Sequence, residues 1–298
     1  MAMTVLGGFL SATLFILHLT PFPGLMLLSY LAPLPFFLIG LGIGFRPLYG
    51  AGFIAAIIVF LAAAPFLAAE FFVFFVLGPI FLINRALLHR KKSSEEVVWY
   101  PASLLLRDFT FASGVVMLLA LGGYIYLTHG IEPHSLVKTV LKTVDPQGQM
   151  RDAEAIFVKL FPFLPGIFAF SWMLIVLFNA ALAQGLLIRF NRNLRPSPSL
   201  EGLTAPKSFI IVLGLSLILS MVGVGYLELL GKNTIFVLIF PFFLIGLGLI
   251  HQWLNKTSFA TAGLIIFYLV LILFIWLAFF VILLGILKPW IERLSPPN

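Results

Sequence analysis

Residues 263–287 read GLIIFYLVLILFIWLAFFVILLGIL, an unbroken run without a charged side chain. A transmembrane α-helix needs about 20 consecutive, mostly apolar residues, and this run is long enough. A strand of a membrane β-barrel would alternate apolar and polar residues at every second position, which this run does not do. We therefore predict that the chain is an α-helical membrane protein.

The same apolar character extends over the whole chain. It has 298 residues, of which 61% are hydrophobic and 10% are charged, whereas a soluble domain carries about a quarter charged residues. Stretches of spanning length recur, so we predict an all-α, polytopic transmembrane helix bundle of about 8–9 spans. It forms a single integral membrane domain over residues 1–298. The predicted spans are 4–20, 24–45, 48–64, 66–88, 109–128, 162–189, 208–230, 233–254 and 260–287.

The basic residues predict an orientation for these spans. Eleven of the 18 Lys and Arg residues fall in the loops on one side, which the positive-inside rule makes cytoplasmic. The N-terminus is then cytoplasmic, the C-terminus is outside, and the cytoplasmic loops cover about residues 86–107 and 190–207. The second of these loops is rich in Pro and Ser, which is typical of a solvated or partner-binding linker. The net charge of +7 follows from this asymmetry and does not indicate nucleic acid as a partner.

The largest segment outside the predicted spans is an outer amphipathic loop at about residues 130–161. Within it, Leu136, Val140 and Val144 recur at helical spacing, with Lys138 and Lys142 on another face. This pattern predicts a short helix on the outer membrane surface, and it is equally consistent with a cap over a cavity.

The octapeptide PFFLIGLG occurs at residues 35–42, the first copy, and at residues 241–248, the second copy. Six crossings separate the copies, so both run from outside to inside, unlike the copies in inverted-repeat transporters. Each is predicted to place a bending proline near mid-membrane, followed by small residues that allow close helix approach. We interpret the copies as a repeated packing solution, ahead of compositional bias and of true duplication. The predicted helix-packing residues are Gly40, Gly42, Gly44, Ala51, Ala55, Asn179, Gln184, Gly246 and Gly248.

Ionisable residues within predicted spans are the candidates for ligand binding, because they are costly there. Four of them fall near outer span ends, namely His18, Glu70, Glu228 and Lys232. They predict a polar site open to the outside, or else separate side chains that reach water at the interface. Glu70 is the strongest candidate, because the surrounding AAAPFLAAEFFVFFV is apolar.

Signatures of enzymes and metal sites are weak. The chain has no cysteine and only three aspartates, and it contains no zinc-protease, P-loop or serine-elbow motif. We predict no enzymatic activity and no cofactor. HGIEPH, at residues 129–134, offers two histidines and a glutamate, but the spacing matches no strong motif and we predict no metal site there.

Four stretches together carry a family resemblance: NAALAQGLLIRFNRNLRPSPSLEGLTAPK at residues 179–207, APLPFFLIGLGIGFRP, WYPASLLL and FPFFLIGLGLIHQW. They resemble the YybS-like family of predicted bacterial membrane proteins, which is distantly similar to the substrate-binding components of energy-coupling-factor transporters. The resemblance implies an outward-facing binding component in a bacterial inner membrane, served by a separate coupling subunit and ATPases. It also implies docking to that subunit through small residues, here Gly40, Gly44, Ala51 and Ala55. The alternative is a non-transporting scaffold or regulator of envelope assembly.

Overall fold

The computed structural model describes residues 1–20, 22–91, 97–128, 135, 137–139 and 151–294. The regular secondary structure of the described residues is helical, apart from one small antiparallel pair of strands, β1 and β2, in which His89 pairs with Trp99. The helices and strands are α1 Ala2–Ile16, α2 Pro23–Ser29, α3 Leu34–Gly42, α4 Phe45–Ala62, α5 Pro65–Glu70, α6 Gly78–Ala86, β1 His89–Lys91, β2 Val97–Trp99, α7 Ala102–Thr128, α8 Arg151–Leu160, α9 Leu164–Arg189, α10 Lys207–Val222, α11 Tyr226–Leu254, α12 Ala260–Leu273 and α13 Leu277–Leu294.

The polytopic helix bundle predicted from the sequence is confirmed. Among the described residues, seven helices are long and apolar enough to cross a membrane, or eight if one bent pair counts as a span. The seven are Ala2–Leu19, Gly24–Gly42, Phe45–Ala62, Pro65–Ala86, Ala102–Thr128, Ala155–Arg189 and Tyr226–Leu254. Most of the outer amphipathic loop lies outside the described residues, as does HGIEPH.

The predicted seventh span, residues 208–230, is wrong in its extent. α10 ends at Val222, and Gly225 has φ +62, a left-handed conformation that favours glycine and interrupts the helix. Glu228 therefore belongs to the first turn of α11, and not to the end of the preceding span.

The predicted ninth span, residues 260–287, is not one straight helix. α12 and α13 meet at an angle of 120°, without a proline or glycine at the break. The turn pairs its own backbone, because the N–H groups of Leu277 and Ala278 donate to the carbonyls of Phe274 and Ile275. This local pairing permits a break within an apolar run, where unpaired backbone groups are costly. Lys288, predicted to follow the span, lies inside α13.

The chain forms two compact units. The first unit comprises Met1–Leu105 and Trp172–Pro198, and the second comprises Leu106–Ser171 and Ser199–Asn298. The sequence prediction of one membrane domain over residues 1–298 stays a prediction.

In the first unit, α1 packs closely on α4 through small residues. A β-carbon built on Gly8 would lie 2.6 Å from the carbonyl oxygen of Ala51, so the two backbones meet where neither residue has a large side chain. The Ser11 hydroxyl of α1 donates to the carbonyl of Ala32 at 2.7 Å. Ala51 and Ala55 are fully buried.

In the second unit, α11 forms the core between α10 and α13. A β-carbon on Gly231 would lie 2.7 Å from the carbonyl oxygen of Ser216 in α10. On the α13 side, a β-carbon on Gly246 would overlap the carbonyl oxygen of Val281, and one on Gly285 would overlap that of Phe242. The close approach of these helices thus depends on glycine on both sides.

The first copy of the octapeptide differs from its predicted geometry. Pro35 lies within the span Gly24–Gly42, but it begins a helix and does not bend one. It is in the first turn of α3, because Tyr30–Pro33 form a turn that separates α2 from α3. Pro241 in the second copy lies inside α11, as predicted. Gly44 has φ +120 and faces open space, so it ends a helix and does not form a close helix contact.

Candidate functional site

His18 and Glu70 come together in the first unit. His18 lies in Leu17–Leu19, a turn of 3₁₀ helix that extends α1. Glu70 is the last residue of α5. The two side chains are close enough to interact electrostatically. Within the described part of the chain, no hydrogen bond or ion pair engages the Glu70 carboxylate. The site therefore holds one unpaired acid beside one histidine.

Glu70 is followed directly by a π-helix, Phe71–Leu77. Pro79, just after it, lacks an N–H group, so the carbonyls four and five residues earlier lose a donor. The indole N–H of Trp172 donates to one of them, the Phe74 carbonyl, at 2.7 Å. Gly78 makes room for this indole, because a β-carbon there would meet its ring. Such π-helices are rare and frequent at functional sites.

Three phenylalanines fix the backbone on either side of the His18–Glu70 pair. The ring of Phe15, one turn before His18, lies 4.7 Å from that of Phe71 and 5.3 Å from that of Phe75. Phe15 and Phe71 are buried. This cluster holds the end of α1 against the start of the π-helix and so positions the two polar side chains.

Glu228 and Lys232 come together in the second unit. They form an ion pair one turn apart at the start of α11, and the ammonium of Lys232 lies 5.3 Å from the centre of the Phe163 ring. Both side chains are partly exposed. Unlike Glu70, each of these groups is engaged in an ion pair.

Asn233, which the sequence analysis did not single out, is fully buried beside this ion pair. Its Oδ1 accepts from the N–H of Gly166 at 2.6 Å, and its Nδ2 donates to the carbonyl of Pro162 at 2.9 Å. It therefore satisfies backbone groups at the start of α9, where the first N–H groups of a helix have no helical acceptor. The only signal for Asn233 in the sequence is that it directly follows the candidate residue Lys232.

The sequence hypothesis placed His18, Glu70, Glu228 and Lys232 around one site. The structure describes them as two pairs, one in each unit. Where His, Asp and Glu residues are described, no three of them are grouped to hold a metal ion.

The two polar residues predicted to bridge helices lie in the first unit. The Nδ2 of Asn179 donates to the Tyr30 carbonyl at 2.8 Å and to the Ile175 carbonyl at 2.7 Å, while its buried Oδ1 lacks a protein partner. Gln184 donates at 2.8 Å to the carbonyl of Arg195, in the following loop and not in another helix.

Arg195 anchors the 190–207 loop, most of whose other residues are exposed, as expected of the solvated or partner-binding linker predicted from its composition. Its guanidinium is buried and donates to the carbonyls of Ala86 and Tyr100, both at 2.7 Å. It thus caps the last carbonyl of α6. Burial lowers the pKa of the Arg195 side chain, because desolvation disfavours its charged form.

A shallow groove of about 550 Å³ follows one face of α12, from Thr261 to Leu273. Its lining is apolar, and its one phenol, Tyr268, is engaged by His251 at 2.8 Å. No charged side chain lines it, so it offers a polar ligand little.

A family model for predicted membrane proteins, DUF2232, matches residues 9–287. The chain belongs to this family. The match covers nearly the whole sequence and agrees with the apolar helices described above. No curated protein and no solved structure matches the chain. The DUF2232 description names no activity, so it assigns no role to any of the residues above.

Proposed function

We propose that this protein is a transporter-type substrate-binding membrane component that faces outward from a bacterial inner membrane, with its N-terminus in the cytoplasm. The observation that carries the proposal is the unpaired Glu70 carboxylate beside His18, in a helix of spanning length. Ionisable side chains are rare inside membrane segments and mark ligand or ion pathways. Among the described residues, no hydrogen bond or ion pair accounts for a carboxylate at this position.

The chemistry of the pair defines what it would bind. A carboxylate accepts hydrogen bonds and attracts positive charge, and an imidazole adds one donor or acceptor. The ligand is therefore proposed to present N–H donors or a cationic group to Glu70. Glu228 and Lys232 are retained as candidate ligand-binding residues, although their mutual ion pair must loosen before either engages a ligand.

The partners follow from the absence of a nucleotide-binding motif in the sequence. Uptake would need a separate coupling subunit and ATPases, as the resemblance to energy-coupling-factor components implies. Of the four small residues that the resemblance assigns to docking, Gly40, Ala51 and Ala55 are buried within the first unit. A coupling subunit would therefore have to contact other residues.

The alternative, a scaffold or regulator of envelope assembly, would offer its cytoplasmic loops to partners. Arg195 and Leu203, both in the 190–207 loop, are buried instead. Most other residues of this loop are exposed, so it stays open to a partner and the purification below decides between the two functions.

The test is purification from the native membrane in mild detergent, with mass spectrometry of the proteins and small molecules retained. Wild type is compared with Glu70→Gln and Glu228→Gln, and with Lys256→Gln as a control for charge removal at an exposed residue. We expect a retained metabolite, an ATPase pair or a coupling subunit with wild type. The metabolite should be reduced by about tenfold in Glu70→Gln, since a charge-assisted hydrogen bond is lost, and unchanged in the control. Envelope-synthesis proteins without metabolite or ATPase would instead support the scaffold.

A further inference from the structure

Lys288 is an ammonium group buried in the apolar interior of the second unit. Its side chain is 3% exposed. Lys288 directly follows the predicted span 260–287, on the side predicted to be outside. The break between α12 and α13 moves it into the middle of a helix.

The position of Lys288 along α11 follows from the packing of α13. Gly246 meets Val281 and Gly285 meets Phe242, so the two helices run antiparallel with these residues level. Lys288 lies three residues beyond Gly285, about 4.5 Å along the axis. It is therefore within one turn of the level of Phe242, in the apolar part of α11.

The bonds of Lys288 are to backbone and hold one segment. Its Nζ donates to the carbonyl of Glu201 at 2.7 Å and to that of Leu203 at 2.9 Å, while the nearest carboxylate oxygen, of Glu292, is 3.6 Å away. These carbonyls belong to residues 199–206, which we name the strap. The strap follows the Pro196–Ser197–Pro198 sequence and ends where α10 begins.

The strap also packs against α11. A β-carbon on Gly248 would overlap the carbonyl oxygen of Leu200, and the Asn255 side chain donates to the Glu201 carboxylate at 2.7 Å. Leu203 is 4% exposed. Most of the strap has no regular secondary structure. Irregular backbone in an apolar interior needs hydrogen-bond donors for its carbonyls, because no helical N–H groups pair with them. Lys288 supplies these donors.

We propose that Lys288 is a latch that keeps the strap seated against α11, and that breaking its two hydrogen bonds releases the strap to water. Both hydrogen bonds of the buried ammonium go to strap carbonyls, and the Glu292 carboxylate at 3.6 Å adds a longer ion pair from its own helix. A buried lysine is stable only if it is well paired, since removing the partners of a buried charge is costly. This proposal is independent of whether the protein binds a transported substrate.

The test uses the natural absence of cysteine. Leu203→Cys is introduced into the full chain in lipid nanodiscs, and its labelling rate by a sulfonated, membrane-impermeant maleimide is measured. The rate should rise by about tenfold or more when Lys288→Met is added, because two hydrogen bonds to a charged donor are lost. Arg293→Met, which removes an exposed cation from the same helix, should leave the rate unchanged.

Equal labelling rates with Lys288 and with Lys288→Met would overturn the latch. If the methionine variant does not fold, Lys288→Ala is tested by the same criterion, since it also removes the donor to both carbonyls. A rise in both Lys288→Met and Arg293→Met would also count against it, because it would indicate general loosening.

Discussion

The two copies of PFFLIGLG have the same sequence and very different surroundings. In the first unit the copy forms nearly all of the short helix α3, which begins at Leu34, one residue before its proline, and ends at its second glycine, Gly42. In the second unit the copy lies within the 29-residue helix α11, with helix on both sides. The same eight residues therefore end a helix in one place and form part of a continuous helix in the other.

The glycines of the copies differ in what they touch. In the first copy, Gly40 faces the methyl groups of Ile83 at 2.6 and 2.8 Å, measured from an ideal β-carbon, and Gly42 faces a methyl group of Leu187 at 2.7 Å. In the second copy, Gly246 and Gly248 face the backbone carbonyl oxygens of Val281 and Leu200. A side chain can rotate away from an added methyl group, whereas a carbonyl within packed backbone cannot. Glycines in the same octapeptide should therefore differ in how much stability is lost when alanine replaces them.

Gly246→Ala should have the largest effect of the variants that test this comparison. The added methyl group overlaps the Val281 carbonyl, so α11 and α13 must separate. We expect a loss of about 3 kcal/mol in the free energy of unfolding, at the upper end of overpacking costs. The measurement is thermal unfolding in one detergent, followed by tryptophan fluorescence.

The matched control is Gly214→Ala, in α10 of the same unit, where a β-carbon meets nothing within 4 Å. It should be neutral or slightly stabilising, because alanine has the higher helix propensity. Similar losses in Gly246→Ala and Gly214→Ala would contradict the carbonyl contact as the cause.

Gly40→Ala should cost less, about 1 kcal/mol, because the obstructing groups are methyls of Ile83. A double-mutant cycle with Ile83→Ala tests the cause directly, since that substitution removes both methyls. We expect Gly40→Ala to cost nothing in the Ile83→Ala background, a coupling of about 1 kcal/mol. Gly185→Ala in α9, which faces open space, is the control in this unit. A full cost for Gly40→Ala beside Ala at position 83 would argue against the proposed contact.

The class of fold could be predicted because composition decides it. Apolar runs of spanning length point to a membrane helix bundle. Seven of the nine predicted spans correspond to the seven spanning helices of the described residues. The two wrong spans differ in origin. The break within 208–230 lies at Gly225, a glycine that the sequence shows. The break within 260–287 has no proline or glycine at 274–276, so no residue type there signals it.

The candidate site was predictable only in part. Charge in an apolar context pointed to Glu70 and Glu228, because the cost of burying a carboxylate can be read from neighbouring residues. That His18 lies beside Glu70, and Lys288 beside the strap carbonyls, depends on contacts across more than 50 residues of chain. Asn233 and Arg195 were missed for the same reason: both bind backbone carbonyls, and a carbonyl has no sequence signature.

The two prolines should have effects no larger than that of Gly40→Ala, and here the copies should differ in sign. Pro241 lies inside α11, so Pro241→Ala restores an N–H that can donate to the Val237 carbonyl, worth about 1 kcal/mol. Pro35 occupies the first turn of α3, where an N–H has no helical acceptor, so Pro35→Ala gains no such bond and loses about 0.5 kcal/mol of backbone preorganisation. Thermal unfolding should therefore rank Pro241→Ala above wild type and Pro35→Ala below it. Equal shifts for both prolines would mean that the position within the helix does not matter, and that the copies are closer in structure than their surroundings indicate.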